Sequence, residues 1–285
     1  MSSFEAQTQK AAVLLEALPY IQSFRGSTFL IKVGGSAMED PAVVDTFLRD
    51  VVFLEAVGIN PVIVHGGGKA ISKAMRESGL EARFINGLRV TDEETIRIVE
   101  QTLARVINPE IVSKINAFGG KAVGVPGTEV FNGHTMSSDL GWVGEVTDCR
   151  TGLIQAAVAG EFVPVVSPVA RDTASGHTLN VNADLAACAL ATRLKAEKLI
   201  FLSDVRGVLR DPTDESTLIP TLDEAAIAAL KTDGTISGGM IPKTDSALDS
   251  LRGGVGKVHL IDGRVPHALI LEIFTDIGIG TEIRL

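Results

Sequence analysis

What most constrains this chain is its alternation of short apolar runs with longer segments of helical periodicity, the junctions marked by glycine. TFLIKV (28–33), NPVIVHGGG (60–68), EFVPVVSPV (161–169), EKLIFLS (197–203) and GKVHLIDG (256–263) read as strands buried on both faces, because none keeps a polar–apolar alternation. Between them, DPAVVDTFLRDVVFLEAVG (40–58) reads as a helix with Asp40 as its cap and Pro41 at its first position. Another helix begins near Lys69, and a third runs over 91–120, where Thr91 and Glu94 read as a Thr-x-x-Glu capping box. NADLAACALATRLKA (182–196) and MIPKTDSALDSLRGG (240–254) are the helices of the second half, the latter closed by glycines. The pattern predicts an α/β fold, an open and mostly parallel sheet sandwiched by helices.

Other stretches depart from this alternation. EARFINGLRV (81–90) reads as a short extended pair, and the Gly- and Ser-punctuated, helix-poor region between about residues 121 and 150 predicts β-hairpins inserted at the rim. GKVHLIDG is the last clear strand. Ala11, Leu14, Leu15, Leu18 and Ile21 recur at helical spacing and predict an amphipathic helix that packs on its own domain or on a partner subunit. At 285 residues the chain is long enough for two lobes sharing a cleft. The expected division is an N-terminal helix over 1–26, an N-lobe over 27–195 and a C-lobe over 196–285.

Charge and cysteine content exclude several classes. With 26 basic against 35 acidic residues the formal charge is -9, which argues against a nucleic-acid or anionic-membrane surface; any bound anion must be held locally. Two cysteines, Cys149 and Cys188, stand far apart without a CxxC partner, so no structural zinc is expected and the cytoplasm is the expected location. No apolar run approaches the roughly 18 residues of a membrane span, and no targeting peptide is legible.

Two familiar glycine motifs fail. The Gly-Lys pairs at 68–69, 120–121 and 256–257 are each followed by Ala or Val and lack the upstream glycine of a P-loop, and G-x-G-x-x-G follows none of the strands. What remains are four places where small residues meet a polar group: IKVGGS, VIVHGGGK, LNVNADLAA and SGGMIPKTD. Brought together at the carboxyl ends of parallel strands, these would let backbone N–H groups approach an anion, with Lys32 and Lys243 beside a phosphate chain and Asp184 holding the two amines in register. Singly, each has a plainer reading: a strand-end lysine is usually a solvated flank, and strand-Gly-Gly usually a turn.

Taken together, FLIKVGGSAM, VIVHGGGKAIS, FINGLRVTDEET, LNVNADLAA, FLSDVRGVL and GGMIPKTDSAL resemble the amino acid kinase family in order and spacing, over nearly the whole chain. The resemblance implies the carbamate kinase-like fold. It also implies transfer of the γ-phosphoryl group of ATP to the side-chain carboxylate of N-acetyl-L-glutamate, the second step of arginine biosynthesis, with Mg2+ carried by the nucleotide. By the same resemblance Lys32 and Lys243 stabilise the transferring phosphoryl group and Asp184 organises them. Gly34 and Gly35 lie along the β/γ-phosphates, Gly67 and Gly68 at the substrate end, Arg89 grips the α-carboxylate with Asn180 beside it, and Ser203, Asp204 and Val208 touch the adenosine. The chain ends resemble the arginine-inhibited branch, a homodimer assembled into a hexamer as a trimer of dimers, with Glu272, Gly278 and Tyr20 as candidate L-arginine contacts. Two segments depart from the family pattern, Lys-Val-Gly-Gly-Ser in place of Lys-Tyr-Gly-Gly-Asn or Ala, and the rim loop NGHTMSSDLGW.

The implied chemistry agrees with this inventory. A glutamate carboxylate, with a pKa of about 4.3, is ionised at neutral pH and needs no general base. The obstacle is bringing one anion to another, which positioned positive charge relieves. His65 is therefore expected to be structural rather than catalytic, Asp204 and Asp139 turn residues rather than metal ligands, and Glu272, read on its own, a solvated face residue. Kinases of aminoadipate derivatives on the same scaffold, or a non-catalytic arginine sensor, are the competing readings.

Overall fold

The computed structural model describes residues 8, 11, 12, 14–275 and 278–285; parts of the expected N-terminal helix, and residues 276 and 277, lie outside them. Its strands are β1 (Thr28–Val33), β2 (Asn60–His65), β3 (Phe84–Ile85), β4 (Leu88–Arg89), β5 (Ala122–Val125), β6 (Phe131–Thr135), β7 (Val143–Cys149), β8 (Val163–Val166), β9 (Val169–Asp172), β10 (Thr178–Val181), β11 (Lys198–Ser203), β12 (Thr221–Leu222), β13 (Lys257–Asp262) and β14 (Thr281–Ile283). Eight of them form one sheet in the order β12-β14-β13-β11-β1-β2-β8-β5, parallel throughout except where β14 runs antiparallel to β13. None of the described helices is long and apolar enough to cross a membrane.

The apolar runs are strands because the sheet is covered on both sides. Phe29, Ile31 and Val33 of β1 enter one core and Leu30 the other, and β11 divides the same way, with Leu199 and Phe201 opposite Ile200 and Leu202. Burying each such side chain contributes roughly 1.5–3 kcal/mol. Lys32 shares the parity of Leu30, so its side chain lies on the face covered by two later helices, Ala183–Leu194 and Met240–Arg252. That parity puts a lysine, an aspartate and a second lysine on one side of the sheet.

Among the described residues, the α-helices of six residues or more are α1 (Leu18–Phe24), α2 (Pro41–Ala56), α3 (Gly68–Glu77), α4 (Glu93–Glu100), α5 (Asn108–Ala117), α6 (Gly152–Ala159), α7 (Ala183–Leu194), α8 (Glu224–Thr232), α9 (Met240–Arg252) and α10 (Ala268–Ile273). Asp40 caps α2 as expected, accepting from the Ala42 N–H with Pro41 in the first turn. The capping box at Thr91 is not formed: Asp92 is the cap of α4 and accepts from Thr95, while the Thr91 hydroxyl is spent on the Arg89 carbonyl. The helix predicted over 91–120 is also interrupted by a π-helical stretch, Gln101–Ile107, just ahead of Pro109. Proline cannot donate to the carbonyl four residues back and crowds it, and a wider turn relieves both defects.

The region after residue 121 divides differently from expectation. β5 joins the main sheet as its edge, paired with β8, and only β6 and β7 form the expected hairpin. That hairpin closes with β9 and β10 into a four-stranded barrel over the strand ends. Two short strands, β12 and β14, were not legible; β14 follows GKVHLIDG and pairs with β13, and β12 forms the far edge. The exposed apolar residues Leu14, Leu15 and Leu18 lie on the N-terminal segment, and Val123, Leu153 and Phe162 beside the β5 edge.

Candidate active site

β1 pairs with β2 on one side and β11 on the other, so the strand order reverses there and a crevice opens at the carboxyl ends. Lys32 sits one residue before the end of β1, and α7 starts above it. Asn182 caps α7 by accepting from the Asp184 and Leu185 N–H groups, which fixes Asp184 in the first turn. The Lys32 ammonium lies 2.8 Å from Asp184 Oδ1 as an ion pair. Lys243, in the first turns of α9, reaches Asp184 Oδ2 at 3.3 Å and lies over the Phe201 ring. Burial alone would raise the Asp184 carboxyl; the two ammonium groups overcome it and hold Asp184 below the usual carboxylate range. One carboxylate between two lysines leaves a net positive charge.

The glycines make this geometry possible. A Cβ on Gly34 would stand 2.6 Å from Lys32 Nζ, and one on Gly66 would stand 3.3 Å from Gly34 Cα, so neither position admits a side chain without moving the ammonium or the backbone. Gly35 turns the chain off β1 at a φ of 65° and lies against the Asp204 carboxylate. Gly67 precedes α3 as its cap, where a Cβ would meet Leu103 and Ile107; Gly68 opens the helix with free space around it.

A cavity of about 270 Å3 is lined by Lys32, Asp184, Gly34, Gly35, Gly67, Gly68, Arg89 and Asn180. Arg89 is buried, donates to Gly68 O (2.9 Å) and Ser72 Oγ (2.8 Å), and stacks on Phe84. Burial draws its guanidinium down from the ordinary value, and no carboxylate among the described residues pairs with it. A buried, unpaired cation of this kind marks an anion site. Asn180 donates to Thr91 Oγ1 at 3.0 Å.

A second cavity, about 320 Å3, is lined by Asp204, Arg206, Val208, Ser237, Met240 and Arg264 among others. Asp204 joins the two, since it faces Gly35 of the first. Val208 is buried at 2% exposure and its N–H donates to Thr281 Oγ1, while Ser203 Oγ and Arg206 Nε are buried without a partner among the described residues. A larger cleft of about 700 Å3 adjoins the first cavity, sharing Gly35, Gly67, Gly68, Phe84 and Arg89 with it; its other cations, Lys69, Lys73 and Lys114, pair with Glu39, Glu77 and Asp45. No cluster of three or more His, Cys, Asp or Glu side chains that could hold a metal ion occurs among the described residues.

His65 lies wholly buried, its Nδ1 against Gly66 O at 2.9 Å and its Nε2 against Asn108 at 3.4 Å; burial lowers its pKa to about 4. It holds the glycine turn as a neutral ring. Asp139 is exposed in the rim turn Ser138–Leu140.

Glu272 is not the solvated residue that its position alone suggested. It is buried in α10, accepting from His259 Nδ1 (2.7 Å) and from the Ile279 and Gly280 N–H groups, and a Cβ on Gly278 would stand 2.8 Å from its Oε2. Lys198 extends the chain, 3.1 Å from His259 Nε2 and over the Phe24 ring of α1. Burial lowers both His259 and Lys198 from their ordinary values. Sequence reasoning missed these two; the signal was a lysine and a histidine set inside otherwise apolar strands. Tyr20 lies half-buried on α1.

Residues 27–262 match the amino acid kinase family. An acetylglutamate kinase from Akkermansia muciniphila is 56% identical over 283 residues, 96% of this chain and 95% of its own. An N-acetylglutamate synthase from Neisseria gonorrhoeae, solved in complex with coenzyme A and N-acetyl-glutamate, superposes with a TM-score of 0.85 at 25% identity, over 96% of this chain and 63% of the synthase, so this chain spans less than two thirds of that protein. A carbamate kinase from Giardia shares the fold, with a TM-score of 0.66 at 16% identity over 91% of this chain and 99% of its own. The chain belongs to the amino acid kinase family and, within it, to the acetylglutamate kinases.

Proposed function

We propose that the chain transfers the γ-phosphoryl group of ATP to the side-chain carboxylate of N-acetyl-L-glutamate, giving N-acetyl-L-glutamyl 5-phosphate in the second step of arginine biosynthesis. The observation that carries this reading is the convergence of Lys32 and Lys243 on Asp184, where Lys32 and Asp184 line a cavity that also holds Arg89, a cation with no carboxylate partner among the described residues. In the reaction an ionised carboxylate oxygen bonds to the γ-phosphorus and the bond to the β–γ bridging oxygen breaks, releasing ADP. No proton moves, so no general base is required. Lys32 and Lys243 offset the charge on the phosphoryl oxygens, and Asp184 keeps both ammonium groups aimed.

In the same reading the 27–195 lobe binds the substrate: Arg89 takes the α-carboxylate through its planar fork, beside Asn180, Gly67 and Gly68. The 196–285 lobe takes the nucleotide, with Ser203, Asp204 and Val208 around the adenosine and Gly34 and Gly35 along the phosphates. Magnesium arrives bound to ATP and supplies further positive charge at the phosphates. L-arginine inhibits from the region of Glu272, Gly278 and Tyr20, supported by the buried Lys198–His259–Glu272 chain that leads to α1. The exposed apolar residues of the N-terminal segment and of the β5 edge support a homodimer linked into a hexamer through residues 1–26. Two free, buried cysteines suit the cytoplasm.

The test is hydroxylamine trapping of the acyl phosphate in the presence of ATP, with N-acetyl-L-glutamate, its aminoadipate homologue and glutamate compared, with and without arginine. Hydroxamate from N-acetyl-L-glutamate above the other two supports the assignment. Equal or greater product from the aminoadipate derivative, or none from any, overturns it.

A further inference from the structure

Thr91 is fully buried, and four groups converge on it. Its N–H donates to Leu140 O (2.9 Å) and its carbonyl accepts from the Trp142 N–H (2.7 Å). Its hydroxyl donates to Arg89 O (2.7 Å) and meets Asn180 Nδ2 at 3.0 Å. The rim loop comes this close because Gly141 has no side chain: a Cβ there would stand 2.3 Å from the Thr91 carbonyl oxygen.

Hydrogen-bond inventory then determines how Asn180 is oriented. A hydroxyl has one proton, and a carbonyl oxygen can only accept, so the Thr91 proton goes to Arg89 O. Toward Asn180 the hydroxyl must accept, which requires the amide nitrogen to face it. Asn180 Oδ1, which meets no donor among the described residues, is left for the cavity it lines together with Arg89. The wall therefore offers a cationic donor from Arg89 and a neutral acceptor from Asn180, both tied to one hydroxyl.

We infer that Thr91 is a positioning residue for substrate recognition: it ties the Arg89 backbone to the Asn180 amide and turns Oδ1 inward. A carboxylate and an N–H borne on one carbon match that pair, which is the chemistry of an N-acylated α-amino acid. The inference rests on the proposed substrate roles of Arg89 and Asn180. Without the hydroxyl, Arg89 O and the Asn180 amide each lose a partner, and Asn180 is free to present its nitrogen instead.

Steady-state kinetics on the full chain test this. Thr91→Val keeps the shape and both backbone bonds; it is expected to raise the KM for N-acetyl-L-glutamate about tenfold, with kcat and the KM for ATP within about threefold of wild type. Thr91→Ser is expected to restore both. In an Asn180→Ala background, Thr91→Val is expected to change that KM less than about twofold, because the two side chains act as one unit. An unchanged KM in Thr91→Val, a loss shared with kcat and the KM for ATP, or failure of serine to restore binding overturns the inference. Assays run below each variant's melting temperature keep the comparison valid if valine destabilises the fold. Arg89→Lys separates the two levels: if it leaves the KM unchanged, the substrate assignment itself fails; if it raises the KM while Thr91→Val does not, only the role of Thr91 fails.

Discussion

The Lys243 ammonium of α9 lies 3.3 Å from one oxygen of Asp184 in α7, and the other oxygen of the same carboxylate is 2.8 Å from Lys32, which comes from the opposite half of the chain. No local sequence pattern encodes that meeting. It arises because β1 and β11 are neighbours, so α7 and α9 cover the same face of the sheet.

Gly34→Ala tests how tightly the arrangement is built. Its Cβ would stand 2.6 Å from Lys32 Nζ, and the flexible end of the lysine is what must yield. The expected outcome is a fall in kcat of about 10- to 100-fold, with the melting temperature within a few degrees of wild type, since the ion pair rather than the core takes the strain. A kcat equal to wild type in the alanine variant contradicts a catalytic position for the Lys32 ammonium.

Much of this was legible in the chain, for identifiable reasons. Buried strands carry continuous apolar runs, Asp40-Pro41 announces a helix start, and glycines mark the places where backbones approach. What was not legible depends on residues distant in sequence. Asp92 displaced Thr91 as the cap because the Thr91 hydroxyl was needed by Arg89 and Asn180, two residues that sequence spacing does not connect. The four-stranded barrel closes between strands on either side of β8. Glu272 is buried only because His259, Ile279 and Gly280 gather round it.

His65 makes acid stability a reporter of the glycine turn. Its folded pKa is about 4, below the usual value of about 6.5, so the fold holds the ring neutral. As pH falls below 6.5 the unfolded chain takes up a proton that the folded chain refuses, and stability drops until about pH 4. The linked loss is about 3 kcal/mol by pH 4. Urea denaturation across that range is expected to show a shallower dependence in His65→Gln than in wild type; identical slopes contradict a buried neutral ring.

Gly278→Ala addresses the proposed arginine site. The added methyl would stand 2.8 Å from Glu272 Oε2, pushing the carboxylate off its backbone donors. The arginine concentration for half-inhibition, measured against the variant's own uninhibited rate, is expected to rise at least tenfold, or about 1.4 kcal/mol. An unchanged value would remove Glu272 from the arginine site.

If two lysines act on the phosphoryl group while Arg89 acts on a remote carboxylate, steady-state kinetics of Lys243→Ala and Arg89→Ala must separate the two roles. Lys243→Ala is expected to lower kcat by about 10²–10³ with the KM for N-acetyl-L-glutamate within about threefold, whereas Arg89→Ala is expected to raise that KM and spare kcat. A Lys243→Ala enzyme with wild-type kcat and a raised KM would contradict that division of roles.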